Sequence, residues 1–347
     1  MRYIFIILSV FIFSLTVISC KSSDDDDVPS STSSNGLFVT VGDNGIILTS
    51  SDVKSWTKRT SGTTKNLYGV TYGVGLFVTV GDNGTILTSS SGTSWTSRTS
   101  GTTKNLYGVT YGGGLFVTVG DNGTILTSSD GTTWANTSTN ERTTLGRYFS
   151  QPDANHLYGV TYGDGLFVTV GDNATILTSS DGTTWTNTST NKRTTLRYFS
   201  KADTNHLYAV TYGDDLFVMV GDNATIFTSS DGTTWTERDG LRSKWVLPQY
   251  FKAITYRKKL FVLVGRNGRT LNSPDGITWK QRKSGTKYNL VGITYSPSCG
   301  KAEWKGLDAG LCKNGIFVSV GKNGRILTSF DGNWWVKRTY KLPEWLY

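Results

Sequence analysis

Beyond residue 35, apolar and polar positions follow one pattern that recurs seven times. Residues 59–90 and 98–129 are identical except for Val74 against Gly113. Within one copy, Leu106-Tyr107-Gly108-Val109-Thr110-Tyr111 alternates and predicts an innermost strand. Leu115-Phe116-Val117-Thr118-Val119 is a dense apolar run, as expected of a strand buried on both faces. Gly120-Asp121-Asn122-Gly123 predicts a hairpin turn, because these residues tolerate positive φ. Thr124–Ser128 predicts a third strand, Asp130-Gly131 turns the chain, and Trp134 opens an outer strand.

The repeat tryptophans are Trp56, Trp95, Trp134, Trp185, Trp235, Trp279 and Trp335, at spacings of 39, 39, 51, 50, 44 and 56. A basal period near 40 residues is that of one four-stranded propeller blade, ~40–45 residues. The expected fold is therefore all-β, a seven-bladed β-propeller of four-stranded antiparallel blades over residues 36–347. Small residues recur at Gly69, Gly108, Gly159, Ala209, Ala253 and Gly292. They are expected on the innermost strands, where the blades converge on the axis. There are six, because the first repeat begins at Gly36 without an inner strand. Residues 336–347 align with 57–68 and end on Leu346-Tyr347, so the C-terminal residues are expected to start the missing strand of blade one.

The first 35 residues follow a different pattern. Arg2 precedes an apolar run over residues 3–19, which reads as a signal peptide. Val17-Ile18-Ser19-Cys20 resembles a bacterial lipobox, with Ile18 where that motif has a small residue. The resemblance implies cleavage before Cys20 and lipidation of its thiol. An uncleaved anchor helix is the alternative, although the run is short against the ~20 residues of a membrane span. Residues 20–35 read as a solvated tether with too little apolar content to fold. Lys21 and the run Asp24 to Asp27 resemble the surface-export signal of Bacteroidota lipoproteins. The expected location is the bacterial envelope, as an outer-membrane lipoprotein on either face of that membrane.

Composition narrows the reading further. Only four Glu and two Met exclude a long helical or coiled-coil protein, and Gly is 40 of 347 residues with Pro only 6. Setting aside Arg2 and Lys21 from 35 Lys and Arg, and Asp24 to Asp27 from 26 Asp and Glu, leaves the remainder at +11. A basic exported protein is suited to acidic partners, though no nucleic-acid motif is present. With Cys20 lipidated, Cys299 and Cys312 remain as a pair expected to form a disulfide in an oxidising compartment. A loop of ~15 residues closed in this way contributes on the order of 3 kcal/mol.

The segment Ser128-Ser129-Asp130-Gly131-Thr132-Thr133-Trp134 resembles the Asp-box, or bacterial neuraminidase repeat, S-x-D-x-G-x-T-W, one residue shortened. Its Asp maps to Asp52, Asp130, Asp181, Asp231, Asp275 and Asp331, while blade two has Ser91 and blade one has Val53 for the Gly. The resemblance implies a propeller of the sialidase-like or photosystem-assembly-factor-like kind, with the Asp capping turn N–H groups and the Trp packing. Such a likeness does not fix function. A sialidase would bring an arginine triad and a Tyr nucleophile with a Glu partner, yet the Arg-Ile-Pro signature is absent. The carboxylate pairs Glu237/Asp239 and Glu303/Asp308 read as solvated loop residues. His156 and His206 occupy equivalent repeat positions and read as paralogous loop residues. With no H-E-x-x-H and no P-loop, no catalytic residue, metal or cofactor is expected.

Three long links between an outer strand and the next inner strand carry the candidate ligand-binding residues. The first holds Arg142, Arg147, Tyr148 and Phe149, the second Arg193, Arg197, Tyr198 and Phe199, and the third Arg242 and Trp245. In a propeller such links emerge on one face and form a contiguous patch. Cations mixed with aromatics suit sugar stacking, acidic-glycan contact or a protein hot spot. The same face should carry the turns with Asp43, Asp82, Asp121, Asp172 and Asp222, replaced by Arg266 and Lys322 in the last two blades. These Asp read mainly as turn formers. The insertion 296–314 should project from the opposite face. The expectation is a non-catalytic binding or scaffold module for a protein or glycan ligand, acidic or otherwise, that touches the membrane through its lipid alone. A sialidase-like glycan-active enzyme and an envelope-complex assembly factor are the alternatives. The oligomeric state stays open.

Overall fold

The computed structural model describes residues 15–20, 37–138, 155–189, 206–238, 250–296 and 315–338. They form seven four-stranded antiparallel sheets, each a simple meander from inner to outer strand. Blade two is representative, with strands Leu67–Gly73, Leu76–Gly81, Ile86–Ser89 and Thr96–Arg98. The inner strands of blades three to seven are Leu106–Gly112, Leu157–Gly163, Leu207–Gly213, Phe251–Arg257 and Leu290–Ser296.

The apolar second strands explain the stacking of blades. Phe116 of blade three is fully buried and packs with Val78, Val80 and Ile86 of blade two. Each sheet thus buries one face against each neighbour, which requires apolar residues at consecutive positions rather than alternate ones. The repeat tryptophans close the outer edge, with Phe116 and Trp134 ring centroids 6.5 Å apart and Phe77 and Trp95 6.4 Å apart. Between second and third strands, an Asn in all seven turns adopts φ of 54° to 59°. Asn enters this left-handed region more readily than most residues, which accounts for its recurrence.

The inner strands approach closely at the small residues. A Cβ on Gly108 would sit 2.7 Å from the Tyr158 carbonyl oxygen of the next blade, and one on Gly69 would sit 2.8 Å from that of Tyr107. Ring closure buries Phe38 and Leu48 of blade one against Val318, Val320 and Ile326 of blade seven.

Blade one departs from expectation. Its innermost strand is Leu15–Cys20, paired antiparallel with Phe38–Gly42. Leu15 pairs with Gly42 as Leu67 pairs with Gly81, and Ile18 pairs with Thr40 as Val70 pairs with Thr79. The position expected for Leu346-Tyr347 is therefore held by residues assigned above to the leader and the lipidated Cys. Those C-terminal residues lie outside the described ones. The physical reason is that Leu15-Thr16-Val17-Ile18-Ser19 is apolar and β-branched, so one string satisfies both a leader and a strand. Position 17 nevertheless carries Val where the six other inner strands carry Gly or Ala.

Candidate functional site

The face that carries the long links is organised around the axis. Tyr68, Tyr107, Tyr158 and Tyr208 each stand second in an inner strand. Their rings follow one another around the mouth with centroids 5.3, 5.5 and 5.5 Å apart. The Tyr68 hydroxyl donates to Asp82 at 2.7 Å, Tyr107 to Asp121 at 2.7 Å and Tyr158 to Asp172 at 2.8 Å. The same carboxylates accept backbone N–H groups of Asn66, Asn105 and His156 at 3.1 to 3.2 Å. The turn aspartates therefore tie the start of each inner strand to the turn beside it. Burial, followed by the hydrogen bond to Asp121, pushes the Tyr107 phenol up to about 12.

The two histidines belong to this ring. They stand where Asn66 and Asn105 stand in earlier blades, and they reach back to the preceding blade. His156 Nδ1 lies 2.8 Å from Asp121, and His206 Nδ1 lies 2.5 Å from Asp172. The hydrogen bond to Asp172 raises the pKa of His206, against the opposing effect of burial. Burial alone would raise Asp172, but hydrogen bonds from His206, Tyr158 and the His156 amide hold it below the usual carboxylate range.

The ring changes character between blades five and six. Lys252 takes the tyrosine position, and its Nζ lies 3.0 Å from the Tyr208 ring centroid. Burial lowers the Lys252 pKa to about 8, with Arg266 adding to the effect and Asp222 opposing it. Arg266 replaces the turn aspartate and lies 4.1 Å over Tyr250, while Arg325 lies 4.4 Å over Tyr288. Asp222 is 5% exposed, and its Oδ1 has no hydrogen-bond partner among the described residues. One arc of the mouth is thus aromatic and acidic, and the other is cationic.

The expected ligand-binding set of Arg142, Arg147, Tyr148, Phe149, Arg193, Arg197, Tyr198, Phe199, Arg242 and Trp245 lies outside the described residues. So do Cys299 and Cys312. The ends of the three links are described, and they join the mouth directly at His156, His206 and Tyr250. Sequence reasoning missed the tyrosine ring, although a Tyr before four of the six small residues was the available signal. The histidines are loop residues at equivalent positions, as expected, and what sequence reasoning missed is that they brace neighbouring blades.

The outer turns are a separate system. Asp130 Oδ1 accepts the amides of Thr132 and Thr133 at 2.7 and 2.8 Å and the Ser128 hydroxyl at 2.9 Å. These donors, the Thr133 amide foremost, hold its pKa well below the usual range. Asp181, Asp231, Asp275 and Asp331 accept the corresponding amides, and Asp52 accepts those of Lys54 and Ser55. Trp134 Nε1 donates to the Gly131 carbonyl at 3.1 Å. Among the described residues, no group of three His, Cys, Asp or Glu is placed to hold a metal ion.

A seven-bladed ring with a bipolar axial mouth is the framework against which similar proteins can be set. Residues 200–343 match the DUF6242 β-propeller domain. A search of curated proteins returns no match. Among solved structures, YCF48 bound to a D1 peptide is 16% identical, with a TM-score of 0.62 over 91% of this chain and 92% of that one. YCF48 from Cyanidioschyzon merolae is also 16% identical, with a TM-score of 0.60 over 91% and 95% of the two chains. The extracellular domain of the putative one-component system BT4673 from B. thetaiotaomicron is 10% identical, with a TM-score of 0.60 over 93% of this chain and 39% of that one. At these identities the likeness is one of fold.

Proposed function

We propose that the protein is a non-catalytic binding scaffold that engages a protein ligand through the face around the axial mouth. The observation that carries this reading is the asymmetry of that mouth within a repetitive fold. Blades two and three are nearly identical, yet the ring turns from Tyr and Asp in blades two to five to Lys and Arg in blade six, beside the three long links. Polar and aromatic groups gathered at one end of a rigid ring suit recognition, because the scaffold holds them without further ordering. A similar propeller, YCF48, has been solved with a D1 peptide bound, which supports a protein ligand over a glycan.

We also propose export, cleavage before Cys20 and lipid anchoring there, on the strength of the N-terminal pattern. Cleavage would remove most of Leu15–Cys20 and leave the Phe38–Gly42 strand without its axial partner. The test of the binding reading is a peptide array and a glycan array probed with the full chain in detergent. Peptide binding that disappears when Arg147, Tyr148, Arg197 and Tyr198 are replaced by Ala, at unchanged thermal stability, is the expected result. Binding confined to glycans, or unaffected by the replacements, would overturn it.

A further inference from the structure

The mouth is two half-rings of opposite sign, and that arrangement narrows the kind of segment it accepts. Asp82, Asp121, Asp172 and Asp222 occupy the turn position of blades two to five. Asp82 takes neutral donors, the Tyr68 hydroxyl and the Asn66 amide, so its negative charge is held in place, while Asp121 and Asp172 take the equivalent neutral donors and each pair with a histidine as well. Arg266 and Lys322 occupy the same position in blades six and seven and are exposed. The seam between the half-rings gathers Asp222, Tyr208 and Lys252. Asp222 Oδ1 is buried without a hydrogen-bond donor among the described residues, whereas Asp121 and Asp172 at the equivalent position each face a histidine from the next blade. Lys252 has placed its own ammonium against the Tyr208 ring, which shows that the aromatic wall takes a cation.

We infer that the axial mouth is a receptor for a dipolar extended peptide. A Lys or Arg side chain of the peptide meets the Tyr and Asp half-ring, and an Asp or Glu side chain meets the Arg266 and Lys322 half-ring. This inference rests on the protein-binding reading and adds the charge pattern of the ligand. A uniformly basic segment would gain from one half-ring and be repelled by the other, and a uniformly acidic segment would suffer the reverse. A segment carrying both signs at opposite ends satisfies both, and like-charge juxtaposition selects against other alignments.

The test titrates the full chain with three heptapeptides, Lys-Lys-Gly-Gly-Gly-Glu-Glu, heptalysine and heptaglutamate, by calorimetry at low and physiological salt. The mixed peptide is expected to bind at least tenfold more tightly than either homopeptide. Arg266→Glu is expected to weaken the mixed peptide at least tenfold and to improve heptalysine. Lys322→Glu repeats the test at a second exposed turn, in the next blade. Equal or tighter binding of a homopeptide, or unchanged affinity in both variants, would overturn the inference. If the mixed peptide fails to bind while other peptides on the array bind this face, the dipolar inference falls and the binding scaffold stands. If no peptide binds, both fall.

Discussion

Tyr107 and Tyr111 sit four residues apart on one inner strand and give a controlled test of how the mouth is held together. The Tyr107 hydroxyl donates to Asp121 at 2.7 Å. Tyr111 instead packs its ring on Phe116, with centroids 4.7 Å apart, and its hydroxyl makes no hydrogen bond among the described residues. Tyr107→Phe removes one oxygen and leaves Asp121 with the Asn105 amide and His156. A hydrogen bond to a charged acceptor is worth about 1.5–3 kcal/mol. Both residues are half-buried, so solvent screening brings the expected cost down to about 1 kcal/mol. Tyr111→Phe should cost a small fraction of that. Urea denaturation followed by tryptophan fluorescence reads both variants. A double-mutant cycle with Asp121→Ala isolates the pair, and the turn tolerates loss of the carboxylate because Arg266 and Lys322 hold equivalent turns. Equal costs for the two Tyr variants, or no coupling between Tyr107 and Asp121, would refute this account of the ring.

Three further outcomes are expected. Gly108→Val should destabilise by at least 1–3 kcal/mol, since its Cβ would lie 2.7 Å from the Tyr158 carbonyl oxygen, while Ala209→Gly should be mild; the urea midpoint reads both. His206 is flanked by Asp172, Asp222 and Lys252, and its raised pKa means that its ion pair stabilises fully below about pH 6.5. That contribution fades as pH rises through the elevated value, so the thermal-stability gap between the native chain and His206→Asn should be widest below about pH 6.5 and should narrow as pH is raised above it. If Cys20 is the lipidated first residue of the exported protein, mass spectrometry will show a chain that begins there. The Phe38–Gly42 amides should then exchange faster than those of Leu76–Gly81, and slow exchange in an unprocessed chain would contradict the leader assignment.

Most of the fold was legible because a propeller blade has few solutions once its second strand is uniformly apolar and its turn carries an Asn that enters positive φ. Phe116 and its equivalents signalled burial on both faces, and Trp134 marked the outer edge. Blade one was harder, because Leu15–Cys20 has the composition of a leader and of an inner strand at once. The mouth was harder for another reason. Tyr107 alternates with Leu106 and Gly108, and alternation shows which residues share a face without showing that the face lines an axis. His156 sits at a link boundary, where a brace to Asp121 of the preceding blade has no local signature. The ring became visible only when strands distant in sequence were set side by side.

Protein ligands that meet the mouth of the ring should touch one end of the inner strands and not the other. Tyr158 and Tyr162 lie near opposite ends of one inner strand, on the order of 13 Å apart at strand rise. A photo-crosslinking phenylalanine analogue at each position in turn, irradiated in intact cells of the source, tests that claim directly. A discrete protein adduct is expected from position 158 and none from position 162. Adducts from 162 alone, or the same adducts from both, would contradict it.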